Sequence, residues 1–136
     1  MSVSVTWDND QQTIIRFQFA DGWEWNEFHA AVQDAQDLLA TVGHVVDIIA
    51  DFQHTSFVRT ETLARLAYVG SPSPINLGSI VLVGSKEFST TTLAVFRSYY
   101  SSVAQSFEVA HSVERGRALL ARAEVRYPVM QKMMFA

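Results

Sequence analysis

The apolar pattern of this chain predicts an α/β domain whose mixed, mainly parallel sheet opens with an N-terminal β-hairpin and carries about four helices. Three observations predict it. Apolar residues alternate with polar ones in two stretches near the start. Two later runs, VVDIIADF and SIVLVG, are too short for ordinary helices and rich in β-branched residues. Around these runs, apolar residues repeat at helical spacing. Strands alternating with helices imply mainly parallel pairing through right-handed crossovers.

The elements follow in order. Val3, Val5 and Trp7 alternate with polar residues, Asp8-Asn9-Asp10 reads as a turn, and Ile15, Phe17 and Phe19 alternate again, which makes the hairpin. Asp21-Gly22 ends it. From Trp25 onward, Phe28, Ala31, Val32, Ala35, Leu38, Leu39 and Val42 trace one helical face, with Gly43 expected as the C-terminal stop. Val45 to Phe52 is a buried strand. Leu63, Leu66, Ala67 and Gly70 mark a second, shorter helix, which Ser71-Pro72-Ser73-Pro74 cannot continue. Ser79 to Gly84 is the most apolar strand, suited to the centre of a sheet covered on both faces. Thr92, Val95, Phe96, Tyr99 and Val103 mark a third helix, and Ser106 to Val109 a short edge strand. Ser112 is placed to cap a fourth helix, with Glu114 in its first turn and Leu119, Leu120 and Ala123 for packing.

Composition narrows the chemistry. A chain of 136 residues with 49% apolar and 18% charged residues matches one globular domain. It holds no cysteine, which excludes disulfides, thiolate metal sites and cysteine nucleophiles. A net charge of −4 removes the broad attraction that non-specific nucleic-acid binding needs. The N-terminus, MSVSVTWDND, has no basic segment followed by an apolar run, and no stretch is long enough to span a bilayer, so a cytoplasmic location is expected.

The order of elements, together with IIADFQHTSFVRTETLARL from Ile48 to Leu66, resembles the STAS domains, the group that includes the bacterial anti-sigma-factor antagonists. Asp51, Ser56, Phe57, Leu63 and Leu66 fit the spacing of the antagonist strand end, loop and following helix. The resemblance implies a single STAS/SpoIIAA-like domain over residues 1–123, leaving 124–136 as an apolar tail. Arg59-Thr60-Glu61-Thr62 stands where the antagonists carry Asp-Ser-Ser-Gly, and Thr60 falls on the phosphorylated serine. The SpoIIAA-like branch, which keeps the fold without that motif, is the nearer match. The resemblance therefore implies a fold and a possible phosphoacceptor or partner surface at Thr60, Arg59, Glu61 and Ser56.

Ligands of open α/β sheets sit beyond the carboxyl ends of the strands. That rule gathers Asp51, Gln53, His54, Thr60, Ser85 and Lys86 into one neighbourhood, with Asp51, His54, Ser85 and Lys86 as the candidate ligand site. A solvated rim with Asp and Ser capping helices is the plainer reading and outweighs a catalytic one. His29, His44, His54 and His111 show no zinc spacing, and no GxSxG elbow, GxGxxG loop or P-loop occurs, so neither a metal nor a cofactor is expected. Of Trp23 and Trp25, one is expected to staple the first helix to the hairpin. The tail, with Val129, Met130, Met133, Met134 and Phe135 after Pro128, is expected to dock on its own domain or to form a homodimer contact.

The leading functional expectation is a non-enzymatic regulatory or protein-interaction module. The second is a carrier of a small apolar molecule or lipid, suggested by Phe52, Phe57, Phe88, Phe96 and Tyr99 near the strand ends. An enzyme using Asp51 and His54 ranks last.

Overall fold

The computed structural model describes residues 2–55, 76–84 and 107–124. The two alternating stretches form β1 (Val3–Trp7) and β2 (Ile14–Ala20), paired antiparallel with Val5 opposite Phe17. The amphipathic stretch forms α1 (Trp25–Ala40), and the two apolar runs form β3 (Val46–His54) and β4 (Leu77–Val83). The chain ends its described part with β5 (Phe107–Ala110) and α2 (Val113–Glu124). One sheet holds the strands in sequence order, β1 to β5, with β2 through β5 parallel. The α/β class and the mixed sheet agree with expectation. α1 and α2 are the helices among the described residues, and the segments expected to form the second and third helices lie outside them.

Each face of the sheet has its own core. Under α1, Phe17, Phe19, Ile48, Ala50, Phe52, Ile80 and Leu82 pack against Phe28, Ala31, Ala35 and Leu39. The opposite face brings Ile49, Val81, Val83 and Ala110 against Leu120 of α2. Period-two alternation along β3 and β4 produces both sets at once, which is why these strands read as continuous apolar runs.

The start of α1 is held by its cap, by a tie to the hairpin and by an aromatic staple. Glu24 is the N-cap, and its N–H donates to Glu27 Oε1 at 3.3 Å, half of a capping box. The other carboxylate oxygen of Glu27 accepts from the Ser2 N–H at 2.9 Å and ties the helix start to the hairpin. Trp23 packs edge-on against Phe19 and touches Phe28, the hydrophobic staple expected of one tryptophan. Gly22, at φ +86°, supplies the left-handed turn after β2.

At the other end Gly43 is not the stop. The helix closes at Thr41, whose hydroxyl donates to the Leu38 carbonyl at 2.6 Å, and the Asn76 side chain donates to the Leu39 carbonyl at 2.9 Å. A side chain 37 positions away thus satisfies a carbonyl that a left-handed glycine often helps to cover. Ser112 caps α2 as expected, its hydroxyl accepting from the Arg115 N–H at 3.1 Å.

Gly116 lets α2 lie close to the sheet. A methyl group there would sit 3.3 Å from Val81 Cγ1 and 3.6 Å from Val83 Cγ2. Gly116→Val, which must push α2 off β4, should destabilise the domain by about 2 kcal/mol in urea unfolding.

Asp8 pins α2 from the far side. Its carboxylate receives both Arg117 Nε at 2.7 Å and Arg117 Nη2 at 2.8 Å, with Arg16 Nη1 at 3.3 Å. The Arg117 hydrogen bonds, with the charges of Arg117 and Arg16, hold the Asp8 carboxyl below its ordinary value of 3.8 against the opposing effect of burial. A native value below the unfolded one means that the stabilisation is complete above 3.8 and is lost as the pH falls from there through the native value. Asp8→Asn should therefore cost about 2 kcal/mol at neutral pH. In urea unfolding repeated at acid pH, the gap between wild type and variant should close.

Candidate functional site

The carboxyl ends of β2, β3, β4 and β5 lie along one edge of the sheet, because these four strands run parallel. Asp51 sits there between Gln18 of β2 and Val83 of β4, only 2% exposed. It shares the α2 side of β3 with Ile49, two residues earlier. Its Oδ1 accepts from the Gln53 N–H at 3.0 Å. The side-chain amide of Gln53 reaches past the end of β4 to donate to the His111 carbonyl at 3.1 Å.

His111 follows β5 directly and points its ring back across the edge. Nδ1 lies 3.2 Å from the Gly84 carbonyl. A carbonyl only accepts, so this bond requires Nδ1 as the donor. Main-chain bonds complete the brace. The Gly84 N–H donates to the Ala110 carbonyl at 3.1 Å, and the Asp21 N–H to the His54 carbonyl at 3.1 Å.

Of the residues expected at the strand ends, Asp51, Gln53 and His54 are brought to this edge. Asp51 and His54 do not form a pair: one is buried on the α2 face, the other exposed, and no hydrogen bond joins them. Ser85 and Lys86 lie outside the described residues, as do Ser56, Arg59, Thr60 and Glu61 and the tail after residue 124. His111 was not among the expected site residues. The signal was present, since it is the first residue beyond the last strand, and a parallel sheet brings every such residue to the same edge.

The aromatics that suggested a ligand pocket give it no footing where they are described. Phe52 is stacked on Phe19, with ring centroids 4.4 Å apart and planes within 12°. Phe57, Phe88, Phe96 and Tyr99 lie outside the described residues. A shallow groove of about 350 Å³ opens at the amino edge instead, lined by Asp8, Asn9, Gln11, Thr13, Ile14 and Arg117. Its polar side chains are largely occupied. Asp8 holds Arg117, and Asn9 Oδ1 accepts from the N–H groups of Thr13 and Ile14 while its amide donates to the Thr13 hydroxyl.

Among the described residues no three His, Asp or Glu side chains stand where one metal ion would bind, and no helix is long and apolar enough to cross a membrane. No family model, curated protein or solved structure matches the chain.

Proposed function

We propose that this domain is a non-enzymatic regulatory or interaction module of STAS/SpoIIAA-like type, acting in the cytoplasm and meeting a protein partner at the carboxyl edge of its parallel strands. One observation carries the reading: among the described residues of that edge, Asp51, Gln53 and His111 spend their side chains on the backbone. Asp51 holds the Gln53 N–H, Gln53 holds the His111 carbonyl, and His111 holds the Gly84 carbonyl. A general base or nucleophile must instead meet its substrate and its own activating partner. Fixed side-chain bonds between strand ends favour a stiff platform.

The chain leaves this platform at Thr55 and Gly84 and passes at once into Ser56 to Glu61 and into Ser85-Lys86. In this reading Thr60, flanked by Arg59 and Glu61, is the residue through which the partner is regulated. A phosphate there would add up to two negative charges and three acceptor oxygens, enough to attract or repel a partner according to its charge. The element order and the Asp51 to Leu66 stretch support the assignment.

The test is to cross-link the protein in its host, identify the partner by mass spectrometry and measure its affinity by calorimetry. Thr60→Glu and His54→Ala should each change affinity roughly tenfold while leaving the melting temperature close to wild type. Cross-links confined to other surfaces, with both variants binding as wild type does, would sink the reading.

A further inference from the structure

Among the described residues β1 is an outer strand of the sheet, and its outward edge is in phase with itself. The Ala20 N–H donates to the Ser2 carbonyl at 2.7 Å and the Asp8 N–H to the Ile14 carbonyl at 2.8 Å. Both bonds continue the register in which Ser4 faces Gln18 and Thr6 faces Arg16. Hydrogen-bonded and non-bonded pairs alternate in an antiparallel ladder. The even-numbered residues therefore bond inward to β2, and the main-chain groups of Val3, Val5 and Trp7 point outward from the sheet.

The protections that an edge strand's own residues can supply are missing from β1. Its sequence, VSVTW, has no charge, no proline and no bulge against β2. The opposite edge differs, since β5 is only four residues long and carries an exposed glutamate, Glu108.

We propose that β1 pairs antiparallel with β1 of a second copy of this chain, extending the sheet across a two-fold axis at Val5. In that register Val5 meets Val5 of the other copy as a hydrogen-bonded pair, and Val3 meets Trp7 on either side. Every outward N–H and C=O of the three residues is then used. Ser4 faces Thr6, a hydroxyl pair of the kind that stabilises cross-strand contacts. Ser2 faces Asp8, so no two like charges oppose each other along the seam, although the chain carries a net charge of −4. Val5 and Trp7, only half-buried against the α1 core, gain a matching apolar neighbour on the same face. An isologous contact of this kind closes at two copies.

The experiment combines sedimentation equilibrium with amide hydrogen exchange on the full chain and on Val5→Pro. Proline at position 5 deletes an outward N–H and no bond to β2, a position where edge strands tolerate it. The wild type should be a dimer whose Val3, Val5 and Trp7 amides are protected, and protection should fade on dilution. Val5→Pro removes two symmetry-related bonds and should weaken the dimer roughly thirtyfold while keeping the wild-type circular dichroism.

A monomer at all concentrations overturns the proposal. So does a dimer whose three amides exchange freely, which would place the contact elsewhere, or protection of those amides in a monomer, which would mean that a segment of the same chain covers the edge. Should Val5→Pro fail to fold, the exchange pattern of the wild type decides alone.

Discussion

The fold depends on two strands that are almost wholly buried. β4 is buried along its whole length and β3 along all but its last two residues, so their main-chain groups must find partners inside the protein. The ladder supplies most of those partners, and at one place it slips. Val46 pairs with Leu77 but Ile48 pairs with Ile80, so Asp47 alone stands against Gly78 and Ser79. The Asp47 carboxylate accepts the Ser79 N–H at 2.8 Å, with both residues almost fully buried. A charged residue in the middle of an apolar run is thus part of what allows the run to be a strand. Without it the bulge would leave a buried donor unmet, at a cost of about 1–3 kcal/mol.

From that centre the two faces diverge in how they are filled. The α1 face is built from large rings and aliphatic side chains, with Phe19 stacked between Phe17, Phe28 and Phe52. The helix above it can stand off at the distance such side chains require. The α2 face is thin, and Gly116 lets the helix backbone come down onto Val81 and Val83. α2 packs mainly on the β3 to β5 half of the sheet, while the hairpin half presents Ser4, Thr6, Arg16 and Gln18 on that side. The Asp8 to Arg117 pair spans the boundary and fixes the helix against the hairpin turn.

Much of this was legible in the sequence for physical reasons that can be named. Period-two alternation marked β1 and β2, the i, i+3, i+4 pattern marked α1 from Phe28 to Val42, and Ser112 announced α2, because each signal is local. What escaped was non-local. Gly43 looked like a helix stop, yet a distant amide, Asn76, was available to cap the same carbonyls. Asp47 and Ser79 are 32 positions apart, and nothing in either neighbourhood indicates that one will bond the other. The candidate site was half legible for the same reason. Asp51, Gln53 and His54 are contiguous with a strand that could be read, whereas His111 joins them only through the strand order β3-β4-β5.

That strand order also separates the surfaces of the domain by chemistry. At the carboxyl edge, parallel strands end together, so side chains from distant parts of the chain meet there and bond each other's backbone. The outer side of β1 is different in kind, since it offers main chain instead of side chains and is flanked by no charge in its own strand. A surface of the first kind can be retuned residue by residue, through a substitution or a modification on a neighbouring loop. The second is governed by register, and single side-chain changes matter only where they alter backbone donors or place like charges opposite each other. The proposed recognition and self-assembly would therefore vary independently, because they would draw on different groups at different borders of one sheet.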